Sequence, residues 1–175
     1  MPSYVWDGET LPVPVEDIVD SVYGLRVRLV DDLGTAPGAP DTVGTLSGLL
    51  LTGPGEIWVN KEEAGLWPGR RRFTIGHELG HWELHRTDKQ SLYCRTASIE
   101  ESDQPASAPR PAVPIAEEEA NSFAAALLMP ADFFVNEYER LNGDTTALCD
   151  RFKCSAKAVG HRIHALIPDH SQSVR

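Results

Sequence analysis

Two histidines four residues apart flank a glutamate in the segment HELGH, which occupies residues 77–81. On an α-helix, residues four apart lie on one face, so His77 and His81 can bind the same metal ion. Glu78 is rotated from His77 by about 100° on such a helix, which keeps its carboxylate outside the metal ligands but close to a bound water. The pattern predicts a Zn²⁺ site in which Glu78 is the catalytic carboxylate that takes a proton from water during attack on a carbonyl.

The two imidazoles leave this predicted site short of a protein ligand, and the stretch EEEAN at 117–121 is the best source of one. In a helix that begins near residue 115, Glu117 is the glutamate of the three that points toward the apolar side. A buried carboxylate needs a partner, and a metal ion would supply it. Asn121 follows Glu117 by four residues, which places its amide to orient a ligating side chain. We therefore predict Glu117 as the third zinc ligand, with Asn121 supporting the ligands.

Two other residues are alternative sources of a zinc ligand. His85 lies eight residues after His77, about 12 Å further along a straight helix, which is too far for one tetrahedral site. We expect His85 to interact with the C-terminal end of the helix dipole instead. Cys94 can coordinate zinc or latch the site through its thiol, although a free cysteine is commonly a small buried hydrophobe. The sequence leaves these alternatives open.

Periodicity and turn residues indicate the elements that must position these side chains. A helix starting near Pro14 precedes a strand at 25–30, and two further β-rich runs, 45–52 and 56–60, are predicted to form a hairpin. Helices are then predicted at 68–85, 115–129, 131–141, 145–153 and 155–166. Gly80 inside the first of these costs roughly 1 kcal/mol relative to alanine, which predicts a close neighbour on its face. The pattern is α+β: a small three-stranded antiparallel sheet packed on a helical core with a C-terminal helix pair.

The length and the charge of the chain limit its possible domain organisation and partners. Its 175 residues are expected to form a single domain. We divide it into four parts. Residues 12–86 contain the N-terminal helix, the sheet and the HELGH helix, and residues 87–114 form a flexible proline-rich loop. Residues 115–166 form the helical part with the third ligand, and residues 167–175 form a tail. The net charge of −10 disfavours direct nucleic-acid binding. Short apolar runs, no signal-peptide pattern and three cysteines without a C-x-x-C motif predict a cytoplasmic protein with no membrane partner.

Further residues are candidates for catalysis or substrate binding. Tyr93, His161 and His164 can donate to the oxyanion of a transition state, and the sequence does not choose among them. A β-rich run either lines the cleft as an edge strand, to which a substrate peptide adds, or is an ordinary core strand. This run consists of Ile57, Trp58, Val59 and Asn60.

Two segments together resemble the ImmA/IrrE family of zinc metallopeptidases, namely FTIGHELGHWELH at 73–85 and EEEANSFAAALLMP at 117–130. The strand EIWVN at 56–60 and the helical pair LCDRFKCSAKAVGHRIHAL at 148–166 are also similar to that family, and the likeness extends over residues 12–166. The resemblance implies a cytosolic, gluzincin-type fold, so that the helical core is expected to be zincin-like.

The resemblance also implies roles for individual residues. It implies that His77, His81 and Glu117 bind zinc and that Glu78 is the catalytic carboxylate. The substrate class that it implies is helix-turn-helix repressors, which are cut to release their operators. The chain departs from the family by a long proline-rich insert at 98–114.

The leading hypothesis is a zinc metalloendopeptidase that cuts a partner protein, either a repressor or an antitoxin-like regulator. A non-catalytic regulatory module stabilised by zinc is the alternative, and a fourth protein ligand such as Cys94 would favour it. A DNA-binding regulator that uses the helix pair at 145–166 is the third hypothesis, which the acidic charge of the chain disfavours.

Overall fold

The computed structural model describes residues 2–36, 46–86, 92–96 and 114–167, and for residues 92–96 it describes the backbone alone. A short 3₁₀ turn lies at Leu33–Thr35. The other elements are, in chain order, α1 (Val15–Ser21), β1 (Arg26–Val30), β2 (Leu46–Leu51), β3 (Glu56–Asn60), α2 (Lys61–Leu66), α3 (Pro68–His85), β4 (Leu92–Thr96), α4 (Ile115–Leu128), α5 (Ala131–Arg140), α6 (Thr145–Phe152) and α7 (Ala156–Leu166).

The four described strands form one sheet in the order β1-β3-β2-β4. The α+β class is confirmed, and β2 and β3 form the predicted antiparallel hairpin, with Leu50 opposite Ile57. The sheet itself differs from the three-stranded antiparallel prediction, because β1 pairs parallel to β3 and β4 pairs antiparallel to β2. The long connection between β1 and β2 allows β1 to pair with the far edge of the hairpin, which leaves the other edge of β2 to β4.

Two elements are absent from the sequence prediction. The strand β4 lies within 87–114, for which the sequence predicts a flexible loop. The rest of that segment up to residue 113, including most of the 98–114 insert, lies outside the described residues. The tail from residue 168 onward lies outside them as well. The helix α2 begins where the side-chain oxygen of Asn60 accepts a hydrogen bond from the backbone N–H of Glu63 at 2.9 Å.

The starts of the other helices follow from local chemistry. Pro68 occupies the first turn of α3, where its missing N–H costs nothing. The carboxylate of Asp144 accepts from the backbone N–H groups of Thr146 and Ala147 at the start of α6. The hydroxyl of Ser155 accepts from Ala158 N–H and caps α7. These caps place the helix boundaries within a few residues of the sequence prediction.

The helix α3 crosses the centre of the core. Eight consecutive residues, 74–81, are buried because α3 packs on the sheet on one side and on α4 on another. The helix pair α6 and α7 also packs on the domain through fully buried side chains. The buried residues that share one core cluster with Ile75 and Leu79 of α3 include Leu50, Ile57, Val59, Leu128, Phe134, Leu148, Phe152 and Val159. In the described part of the chain, no helix has both the length and the apolar content that a membrane span requires.

Small residues let α3 and α4 approach closely. A Cβ at Gly80 would lie 3.0 Å from the Cα of Ala120, and one at Gly76 would lie 3.4 Å from the Cβ of Ala124. The expectation of a close neighbour at Gly80 is therefore confirmed. This close packing sets the first turn of α4, with Glu117, against the histidine face of α3.

Replacing Gly80 by alanine should weaken this packing. The new Cβ would force α3 and α4 apart by a few tenths of an ångström, at an overpacking cost of about 1–3 kcal/mol. The higher helix propensity of alanine offsets about 1 kcal/mol of that cost. Urea denaturation of the metal-free protein should show a lower free energy of unfolding for Gly80→Ala. The control is Gly160→Ala on α7, where a Cβ meets no atom within 4 Å; it should be more stable than wild type, and equal stabilisation by both variants would contradict the prediction.

Candidate metal centre

Three buried or half-buried side chains from two helices converge on one point. The Nε2 atoms of His77 and His81, both fully buried on α3, lie 3.0 Å apart. Glu117, on the first turn of α4, places Oε2 at 3.2 Å from His77 Nε2 and Oε1 at 3.1 Å from His81 Nε2. Among the described residues, these three form the group of histidine, cysteine and acidic side chains whose donor atoms are close enough to hold one metal ion.

The donor triangle fits a zinc ion. Tetrahedral bonds of about 2.0–2.1 Å require donor atoms separated by roughly 3.3 Å. The two Nε2 atoms are 3.0 Å apart, and each lies 3.1–3.2 Å from one of the two carboxylate oxygens of Glu117. Two imidazole nitrogens and one carboxylate oxygen are donors that zinc accepts readily. The three protein donors found among the described residues would leave one tetrahedral position for water or substrate, as in catalytic rather than structural zinc sites.

Glu117 is ionised at neutral pH. Partial burial raises the pKa of its carboxyl, but the contacts with the imidazoles of His77 and His81 outweigh burial and bring the pKa down to about 2. The cluster therefore presents an anionic oxygen beside two nitrogen donors, which is the charge that a divalent cation requires.

Asn121 holds the ring of His77. The Nδ1–H of His77 donates to Oδ1 of Asn121 at 3.0 Å, and this tautomer directs the Nε2 lone pair at the cluster. The structure brings Asn121 to the position that the helix spacing predicts, while its role in metal binding stays a prediction.

Replacing Asn121 by alanine should reduce zinc affinity by about 10–100-fold, because the His77 ring loses the group that fixes its tautomer and orientation. Competition titration against a chromophoric chelator measures the dissociation constant. Ser122→Ala is the matched control, since Ser122 is the next residue of α4 and is exposed. Equal affinities for the two variants would show that Asn121 does not orient a ligand.

Glu78 is fully buried but does not belong to the donor triangle. Its carboxylate lies between α3 and β2, with Oε1 only 3.2 Å from the point where a Cβ would stand on Gly48. The structure thus places Glu78 outside the donor set, as the rotation along the helix predicts. His85 also stays outside the triangle; its ring contacts that of His81, and its Nε2 lies 3.5 Å from Glu119.

The interpretation of residues 57–60 as an edge strand is wrong. Their strand β3 lies inside the sheet, with β1 on one side and β2 on the other, so its backbone groups are already paired. Ile57 and Val59 face the core, the indole of Trp58 donates to Glu56, and Asn60 caps α2. The edges of the described sheet are β1 and β4.

The candidate oxyanion donors and the candidate thiol lie on two elements, β4 and α7. Tyr93 and Cys94 lie on β4, where their backbones pair with Leu50 and Leu49, and their side chains lie outside the described part of the structure. His161 and His164 are exposed on α7 and do not belong to the donor group.

A hydrogen bond places α7 relative to the metal cluster. Arg162, between the two exposed histidines, donates to the carbonyl of Met129 just after the C-terminal end of α4. Glu117 is twelve residues before Met129, about 18 Å away along the helix. The structure therefore gives no support for His161 or His164 as donors at the cluster.

Sequence reasoning did not identify Gly48. It is an isolated glycine in the apolar run LSGLLL of β2, a pattern that often marks a bulge or a close approach of another chain segment. Both features occur here. The pairing of β2 with β4 shifts register between Leu46 and Gly48, and α3 lies directly over Gly48.

The fold agrees with the comparisons to known proteins. The model of the Peptidase_M78 family, described as the IrrE N-terminal-like domain, matches residues 54–164. The chain belongs to this family of peptidases. No curated protein matches the chain.

A solved structure of a Mycobacterium tuberculosis transcriptional regulator has a similar fold, with a TM-score of 0.56 and 23% sequence identity. The alignment covers 93% of this chain and 43% of the regulator. The chain therefore spans less than half the length of that protein, and the likeness concerns the fold alone.

Proposed function

We propose that this protein is a zinc-dependent endopeptidase that hydrolyses a peptide bond in a partner protein. The observation that carries the proposal is the convergence of His77, His81 and Glu117. Glu78, which follows His77 on the same helix and is buried, is the carboxylate that we assign to proton transfer. Membership of a peptidase family supports hydrolysis of a peptide bond. In the described part of the chain the donor set has three members, which supports a catalytic site because a structural zinc site is closed by four protein ligands.

The roles of the residues follow from their positions. Zinc bound here would lower the pKa of a coordinated water to about 7 and polarise a carbonyl. Glu78 accepts a proton from the attacking water and delivers it to the leaving amine. Asn121 fixes the ring of His77, and the burial of both histidines keeps bulk water from competing for their nitrogens.

We propose a helix-turn-helix repressor or a related regulator as the substrate, as the family resemblance implies. Proteins that bind DNA carry basic surfaces. A chain with a net charge of −10 attracts such a surface and repels nucleic acid.

A cleavage assay tests the proposal. Zinc-loaded protein is incubated with the repressor encoded beside it and with a peptide library prepared from the source proteome, and mass spectrometry identifies new termini. We expect cleavage that stops when 1,10-phenanthroline removes the metal and resumes when zinc is restored. The proposal is wrong if neither substrate is cut while thermolysin cuts both under the same conditions.

A further inference from the structure

We propose that Gly48 of β2 is a positioning residue for the carboxylate of Glu78. Its bare Cα forms the surface on which this carboxylate lies, so that a side chain at position 48 would displace it. The effect of this displacement on catalysis rests on the proposed function, in which Glu78 transfers the proton.

The contact geometry supports this assignment. Thr74 and Glu78 are four residues apart on α3, so both side chains lie on the face that covers β2. A Cβ built on Gly48 would collide with Cγ2 of Thr74 and would lie 3.2 Å from Oε1 of Glu78. The same Cβ would also contact the carbonyl oxygen of Trp58 on β3, at 3.4 Å.

The surroundings leave little room for relaxation. Thr74 and Glu78 are both buried, and β2 is held by β3 and β4 on its two edges. Well-packed interiors respond to an added methyl group by shifting the nearest side chains, here those of Thr74 and Glu78. Gly48 thus lets α3 approach the sheet and fixes the distance of Glu78 from the strand.

If Gly48 had only a structural role, a Cβ added at position 48 would matter only through its collision with Thr74. The two roles can be separated because Thr74→Ser removes the colliding Cγ2 and retains the hydroxyl. In the double variant Gly48→Ala/Thr74→Ser, the packing collision is gone, but the new Cβ still presses on Oε1 of Glu78. A displacement of the reacting group by a few tenths of an ångström is expected to slow cleavage by about 10-fold.

The experiment compares wild type, Gly48→Ala, Thr74→Ser and the double variant, with Thr74→Ser as the reference for the double. Melting of the metal-free proteins and zinc content report the fold and the metal site. Kinetics on a fluorogenic peptide, made from the best-cleaved library sequence, report kcat and KM. Binding of acetohydroxamic acid to the zinc-loaded proteins reports whether the Glu78 carboxylate is in position to accept a proton, and it needs no turnover. This chelator binds zinc and gives its acidic proton to a neighbouring base.

We expect Gly48→Ala to lower Tm by about 4–10 °C and the double variant to recover most of that loss with normal zinc content. The double variant should nevertheless show a kcat about 10-fold below that of Thr74→Ser with KM unchanged, and weaker binding of acetohydroxamic acid by at least about threefold. If the double variant recovers Tm together with full kcat and full acetohydroxamic acid affinity, Gly48 is structural only and the inference is overturned.

A double variant as unstable as Gly48→Ala, but with full kcat and full acetohydroxamic acid affinity, would also overturn the inference, because the added methyl would then destabilise the fold without displacing Glu78. Failure of the proposed function gives a different result. Wild type would then cleave no peptide, while melting and acetohydroxamic acid binding would still measure the effect of Gly48 on Glu78.

Discussion

Glu78→Gln is expected to bind zinc as tightly as wild type and to lose cleavage by about 10²–10⁴-fold in kcat. The amide has nearly the shape of the carboxylate, so the buried space between α3 and β2 stays filled. It cannot accept the proton of the attacking water, and general-base catalysis is lost. Zinc content measured by atomic absorption, together with kcat on the fluorogenic peptide, gives the two quantities that the prediction separates.

The control is Glu83→Gln, which makes the same chemical change on the same helix at an exposed position. It should keep both zinc and full activity. If Glu78→Gln cleaves as fast as Glu83→Gln, Glu78 does not act as the base. If it loses zinc instead, Glu78 belongs to the ligand set and the assignment of Glu117 as the third ligand needs revision.

Glu117→Gln should weaken zinc binding by at least about 100-fold, because the site loses its anionic ligand while the two imidazoles remain. Isothermal titration of zinc into the metal-free protein gives the dissociation constant. Since the pKa of Glu117 is about 2, its carboxylate stays ionised from pH 5 to pH 8, and the difference from wild type should persist over this range.

Glu118→Gln is the control for this variant, because Glu118 is the next residue of α4 and is exposed. It should bind zinc like wild type. Similar affinities for Glu117→Gln and Glu118→Gln would remove Glu117 from the site, and with it the link between α4 and the metal.

The positions of the metal-site residues could be predicted because they depend on helical periodicity. The helix α3 begins and ends at the predicted residues, and the four-residue spacing alone places His77 and His81 on one face. The choice of Glu117 over its neighbours followed from the apolar side of α4. Gly80 indicated a close neighbour, and the structure identifies it as Ala120 of α4.

The order of the strands could not be predicted from local patterns. In β3, buried and half-buried residues alternate, and this alternation is compatible with an edge strand as well as with a central one. Pairing with β1 is a contact between distant segments, which short-range periodicity does not encode. Asn60 illustrates the same limit, because its role as the cap of α2 depends on a six-residue helix with little pattern of its own.

The central claim is that His77, His81 and Glu117 bind one zinc ion and leave one position for water. Diffraction from zinc-loaded crystals on both sides of the zinc absorption edge would locate the ion by its anomalous signal. We predict one peak with bonds of about 2.0–2.1 Å to the two Nε2 atoms and a Glu117 oxygen, and no fourth protein ligand. A peak elsewhere, or a fourth protein ligand completing the tetrahedron, would contradict it.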